Sequence, residues 1–205
     1  MHKKLITTAV NTAILSSMLS VPMLASAQSG AQLEEVVVTA RKRTESMQDV
    51  PIAVTVFTAQ DIQDAGIERP QDFIGLTPNV SIVDTANAGD TQVTIRGQYS
   101  TRDAESSFAY VVDGVLITNP NGFNGELFDV EQIEVLKGPQ GALYGRNATS
   151  GAILVTTARP DNEFTGKVMA GVGDDNLVKG QAMVSGPIVK DQLYGRIAFS
   201  YRDTD

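Results

Sequence analysis

The chain has 205 residues, 42% of them hydrophobic, with 16 Lys and Arg against 24 Asp and Glu, one His, and neither Cys nor Trp. That length suits one or two domains, and a formal charge of −8 argues against nucleic acid as a partner, because phosphate binding needs a basic surface. Zero Cys excludes thiolate zinc, iron–sulfur and disulfide sites and suits a cell envelope. The single His is His2, so a chain that has lost its N-terminus has no His for a general base, a triad or a metal site. Neither an enzyme nor a bound metal or cofactor is expected.

Residues 1–27 read as an export signal. Lys3 and Lys4 give a positive start, Leu5 to Leu24 carry no charge, and Ala25-Ser26-Ala27 is a small-x-small cleavage site. A membrane anchor is the alternative, but the apolar run is diluted by Thr7, Thr8, Asn11, Thr12 and several serines, and it lacks stop-transfer charges. Removing Lys3 and Lys4 leaves 14 basic against 24 acidic residues. No second apolar stretch approaches the ~18 residues of a helical span.

Residues 28–46 read as a flexible segment with one β-branched island, Val36-Val37-Val38-Thr39, between Glu34-Glu35 and Arg41-Lys42-Arg43. An extended island in polar surroundings can add as a strand to a partner's open sheet edge, or can be an ordinary edge strand of the next domain.

Residues 47–160 read as a compact α+β domain, a small mixed sheet with short helices. Ala53–Phe57 is a strand, Thr58 with Asp61 resembles a capping box, and Gly66 closes the helix. Pro70 starts a second helix that must stop before Pro78. Strands follow at Val80–Val83 and Thr91–Arg96, and Ala109–Val112 with Val115–Ile117 flank the hairpin turn Asp113-Gly114. Glu131–Leu136 and Ala152–Thr157 complete the set. The polar stretches Asp84–Asp90, Gln98–Ser107 and Asn119–Gly125 read as loops presented from a rigid frame. The glycines from Gly138 to Gly151 lack the spacing and the G-K-[ST] of a phosphate loop, and Asp84, Asn87 and Asp90 lack EF-hand spacing.

Beyond 160, alternation dominates. Phe164, Gly166, Val168, Ala170 and Val172 share one face, as do Leu193, Gly195, Ile197, Phe199 and Tyr201, with Lys167, Arg196 and Arg202 on the other. Alternating segments of ~10 residues joined by turns, here at Gly173–Asn176 and Gly186–Gln192, mark transmembrane β-barrel strands. The 45 residues after 160 allow about three antiparallel strands, so the barrel is expected to be incomplete in this chain.

Leu33 to Arg43, just behind an export signal, resembles the Ton box of TonB-dependent outer-membrane receptors. Val50–Val56, Val93–Gly97, Tyr110–Val115, Ile133–Pro139 and Leu143–Ile153 resemble that family's plug motifs in order. The resemblance implies a plug inside a barrel in the outer membrane of a Gram-negative bacterium, with outer-membrane lipid around the complete barrel. It implies an extracellular ligand such as a ferric siderophore, less often haem, cobalamin or a carbohydrate, and a periplasmic partner, TonB, that pulls the Ton box. Glu35, Val36, Val37, Val38, Thr39 and Ala40 are then the TonB-binding residues. Arg96 and Arg146, each beside a glycine, need carboxylate partners if a barrel encloses them and could latch the plug. Gln98, Tyr99, Arg102, Phe123 and Asn124 are the expected ligand contacts at the plug's outer tip. The alternative function is a truncated plug that binds without transporting.

Overall fold

The computed structural model describes residues 35–84, 91–99, 105–174 and 176–203. The expected export signal, Glu34, Asn87, Asp90 and Arg102 lie outside the described residues. The two short strands β1 (Val37–Val38) and β2 (Glu45–Ser46) form an antiparallel ribbon. A five-stranded sheet follows, built from β3 (Ala53–Thr58), β7 (Phe108–Val112), β8 (Val115–Ile117), β9 (Val130–Lys137) and β10 (Gly151–Thr157) in the order β3-β9-β10-β7-β8. Its pairs are antiparallel except β7 with β10, which run parallel.

Alternation along these strands builds two cores, one on each face of the sheet. Ile133 and Val135 of β9, Ile153 and Val155 of β10, and Phe108 and Tyr110 of β7 face one side. There they pack with Phe57 and with Phe73 and Ile74 of helix α2 (Pro70–Gly75). They also meet Val93 and Ile95 of β5 (Thr91–Ile95), the middle strand of a small sheet with β4 (Val80–Asp84) and β6 (Gln98–Tyr99). Leu136, Ala152, Leu154, Ala109 and Val111 point to the opposite face, and the N-terminal ribbon covers them with Val38 and Ala40. The small side chains of Ala109, Ala152 and Ala148 leave room for that ribbon to lie close to the sheet.

Local chemistry agrees with the sequence at the ends of elements. Helix α1 (Ala59–Asp64) opens on a complete Thr58–Asp61 capping box, and its chain leaves through Gly66 at φ 64°. Hydrogen bonding to Thr58 holds the Asp61 carboxyl below its usual value. Asp113 and Gly114 adopt φ 48° and 83°, the paired positive angles of a type I′ turn, and the Asp113 carboxylate accepts from the Thr157 amide and hydroxyl.

Three long strands close the chain: β11 (Thr165–Val172), β12 (Val178–Val189) and β13 (Leu193–Asp203), in an open antiparallel sheet. Val168, Val172, Ile197 and Phe199 stand on its outer face, each more than 60% exposed, while Lys179, Arg196 and Arg202 face the plug domain. The expected turn at Gly186–Gln192 is corrected. β12 runs on through Gly186 and Pro187, paired with Gly195 and Tyr194, and the reversal is confined to Lys190–Gln192. A bulge between Pro187 and Val189 accommodates the proline within the ladder. A Cβ at Gly186 would stand 2.7 Å from the ring of the exposed Phe164, which would have to swing aside.

Candidate functional site

The N-terminal ribbon turns at Lys42, whose amide donates to the Thr39 carbonyl at 2.8 Å with φ 59°. Arg43 pairs with Glu45 at 2.7 Å and helps to set the hairpin. Four polar contacts then fix the segment to the plug sheet. The side-chain amide of Gln132 donates to the Val37 carbonyl at 2.8 Å. Both the amide and the hydroxyl of Thr39 donate to Oε1 of Glu134 at 2.8 Å. The Tyr144 hydroxyl, from helix α3 (Gly141–Tyr144), donates to the Ala40 carbonyl at 3.0 Å.

Glu134 is 1% exposed and sits between the buried aliphatic side chains of Ile133, Val135 and Leu136 on β9. Burial raises its carboxyl above the usual value, partly offset by the Thr39 amide and hydroxyl and the Ala40 amide. Among the described residues its second oxygen, Oε2, is buried with no hydrogen-bond partner. Burial, and then the Glu134 charge, push the Tyr144 phenol up to about 12, so it stays a donor across the physiological range. Lys42 stands 5.6 Å over the Tyr144 ring, a cation–π contact that closes the ribbon against the helix. A cleft of about 570 Å³ runs alongside, lined among others by Thr39, Lys42, Tyr144, Asp113 and Arg159.

Arg96 and Arg146 are placed apart in their bonding. Arg146 pairs with Glu105 of the same domain at 2.6 Å, and both side chains are largely exposed. Arg96 occupies the left-handed region at φ 52° just before Gly97. Among the described residues no carboxylate pairs with it, and its charge stands beside Lys137. Burial first, and then Arg96, lower the Lys137 ammonium. Lys137 donates instead to the Thr55 hydroxyl at 2.9 Å and the Pro78 carbonyl at 3.4 Å.

The expected ligand contacts fall into different settings. Gln98 and Tyr99 form β6, both exposed, with Tyr99 at 69%. Asn124 is half-buried. Phe123 is corrected from a tip contact to a core residue. It is 3% exposed, edge-on to Phe108 at 5.3 Å and to Tyr110 at 4.9 Å, and it pins the short 3-10 helix Pro120–Asn124 where the sequence suggested an open loop.

Parity in the sequence already puts Arg196 and Arg202 on the inner face of the strands; the plug carboxylates they meet, Glu68, Asp129 and Glu126, were not singled out. Arg196 pairs with Asp129, and Lys179 with Glu68. Arg202 reaches Glu126 at 3.2 Å and Glu68 at 3.5 Å. Parity was the signal to read: these three cations alternate with the outward apolar residues and so must face inward. Glu134 carried a signal too, as the lone charge inside Ile133-Glu134-Val135-Leu136.

A mixed sheet covered on one face by its own N-terminal ribbon, followed by strands with an apolar outer and a basic inner face, defines a class: a plug domain set against strands of a β-barrel wall. The chain belongs to the family described as the TonB-dependent Receptor Plug Domain, whose model matches residues 46–152, more than half of the chain. It is 32% identical over 182 residues to the pesticin receptor of Yersinia pestis, covering 87% of this chain and 27% of that protein. It is 30% identical to a vitamin B12 transporter of Vibrio vulnificus, covering 77% and 27%. Among solved structures, the ferric yersiniabactin uptake receptor of Yersinia pestis superposes with a TM-score of 0.68 at 30% identity, over 73% of this chain and 24% of that one. The ferripyoverdine receptor of Pseudomonas aeruginosa, bound to ferripyoverdine, gives 0.70 at 23% identity over 82% and 22%, a likeness of fold. The chain thus spans about a quarter of the length of these relatives. They are receptors and transporters rather than enzymes.

Proposed function

We propose that this chain serves in TonB-dependent uptake across the outer membrane of a Gram-negative bacterium, with a ferric siderophore or similar iron complex as cargo. In this reading residues 1–27 direct export, 28–46 carry the Ton box, 47–160 are the plug and 161–205 belong to the barrel wall. Glu35 to Ala40 receive TonB as an added strand, with main-chain hydrogen bonds supplying affinity and the flanking charges register. Arg96 and Arg146 act as latch residues, Arg96 toward a carboxylate of the barrel wall. Gln98, Tyr99, Arg102 and Asn124 meet the ligand at the outer tip. No catalytic step is involved, because the energy arrives by pulling.

The observation that supports this reading is that residues 36–40 are held by a two-residue ribbon and a few side-chain contacts rather than by the ladder of the five-stranded sheet. Receptor relatives named for ferric yersiniabactin and ferripyoverdine support the choice of an iron complex. The test uses cysteine introduced at Val37 in a chain that has none of its own. Disulfide capture by a cysteine-scanned C-terminal domain of TonB, together with radiolabelled ferric-siderophore uptake by the producing bacterium, is expected to depend on residues 35–40. Uptake that persists after the six residues are replaced by Gly-Ser repeats overturns the assignment. Capture without any uptake favours the binding-module reading.

A further inference from the structure

We propose that Gln132 and Glu134 form a surrogate strand that occupies the free hydrogen-bonding edge of residues 37–39 and must open before any partner strand can pair there. The inference rests on the reading of residues 35–40 as a strand-addition site, and it concerns what controls access to that site.

The geometry follows from antiparallel alternation. Val37 lies opposite Ser46 and Val38 opposite Glu45, and the Met47 amide donates to the Val36 carbonyl at 2.9 Å. The main-chain groups of Val36 and Val38 therefore point toward β2, and those of Val37 and the Thr39 amide point away. These outward groups are the ones that an incoming strand has to use. The Val37 carbonyl is taken by the side-chain amide of Gln132, and the Thr39 amide by the carboxylate of Glu134. Gln132 and Glu134 are two apart on β9 and so project on one face, about 7 Å apart along the strand, the same repeat as residues 37 and 39 of β1. An amide donor and an oxygen acceptor at that spacing reproduce what a neighbouring backbone would offer.

The clamp is closed but not strongly. One of its bonds reaches a half-buried glutamine, and its carboxylate keeps Oε2 buried without a partner among the described residues. Opening returns that oxygen to water, which offsets part of the cost of breaking the clamp's hydrogen bonds. Val38 and Ala40 anchor the segment in an apolar cluster, so release needs the clamp and the two small anchors together. The adjoining cleft gives an approaching chain space beside Thr39. An edge kept paired until it is needed is also protected from wrong partners, the usual hazard of an unpaired strand.

The test uses the full chain with one introduced cysteine, Val38→Cys, at a position that is 0% exposed and tolerates a small apolar thiol. Maleimide labelling of that thiol reports release of the segment. Gln132→Ala and Glu134→Ala should each speed labelling by about tenfold, as loss of a hydrogen bond to a charged or paired group implies, and Glu134→Gln, which keeps an acceptor for the Thr39 amide, should change it least. Capture of the TonB C-terminal domain should rise in the same order. Gln132→Ala removes a partly exposed side chain and leaves the core intact, so it serves if Glu134→Ala does not fold. Unchanged labelling overturns the clamp whatever TonB does. Faster labelling with equal capture in clamped and unclamped chains overturns the gate and leaves the TonB reading standing. Faster labelling with capture in neither overturns both.

Discussion

Cutting Phe123 back to alanine separates a core role from a ligand contact. The side chain is 3% exposed and meets two rings edge-on, at 5.3 Å and 4.9 Å. A buried Phe→Ala change costs about 3–5 kcal/mol through lost transfer energy and the cavity left behind. The edge-to-face pairs are part of that figure, at about 0.5–1.5 kcal/mol each. The 3-10 helix Pro120–Asn124 has this one buried anchor among its described side chains, so little nearby can collapse into the space. With a urea slope of about 2 kcal/mol per molar, a loss of about 4 kcal/mol lowers the unfolding midpoint by about 2 M. The assay is urea unfolding of the chain in detergent micelles, followed by tyrosine fluorescence, since the chain has no Trp and Tyr110 touches the mutated ring. Phe123→Leu should recover most of the loss. A midpoint shift below about 0.5 M, together with altered affinity for a ferric siderophore, would refute the reasoning and restore Phe123 to the ligand site.

Gly151→Ala should prevent accumulation of folded chain, because its Cβ would lie 2.3 Å from the Leu136 carbonyl oxygen, and backbone cannot yield as a side-chain tip can; normal thermal unfolding of this variant would contradict the close approach of β9 and β10. Because burial holds the Glu134 carboxyl above 4.5 in the docked state, that state binds the proton more tightly than the released one, so docking is firmest below about pH 4.5 and weakens as pH rises through the elevated value. Hydrogen exchange at Val38 and Ala40, corrected for intrinsic rates, should therefore quicken from about pH 4 to about pH 7 in the native chain and not in Glu134→Gln. Arg196→Ala should destabilise the chain by about 3 kcal/mol by stranding the Asp129 carboxylate, and adding Asp129→Asn should recover more than half of that in a urea-unfolding cycle.

The strands were legible because their alternation survives in the sequence: Ile133 and Val135 face one core, Leu136 the other, and Ile197 and Phe199 the outside of the wall. Capping and turn chemistry at Thr58–Asp61 and Asp113-Gly114 could be read for the same reason, since each is a local demand on backbone and side chain. What was not legible depends on distant partners. A two-residue strand such as Val37–Val38 has no period to detect, and its position is set by Gln132 and Glu134, 95 residues away. Helix Pro120–Asn124 exists because Phe123 finds Phe108 and Tyr110, which no window around residue 120 contains. The parallel pairing of β7 with β10 likewise joins segments with β8 and β9 between them.

The ion pairs between plug and wall bear on how such a domain could move. Lys179, Arg196 and Arg202 meet Glu68, Asp129 and Glu126, all carried on the plug domain, so acidic residues that looked like a plain excess of charge are matched by the inner face of the strands. The pairs of Lys179 and Arg202 keep some access to water, contribute modestly each and can exchange partners, as Arg202 already does between Glu126 and Glu68, whereas the more buried Arg196–Asp129 pair is the strong contact of the boundary. Interdigitated aliphatic packing would have to come apart over its whole area before the surfaces slid. A polar, stepwise boundary lets a pulling force break one pair at a time while the two aliphatic cores of the plug stay whole. The same division holds at the N-terminal ribbon, where the polar clamp at Gln132 and Glu134 is separable and the sheet beneath it is not. Force applied at residues 35–40 should therefore open the clamp and the plug–wall pairs well before it reaches the β3-β9-β10-β7-β8 sheet.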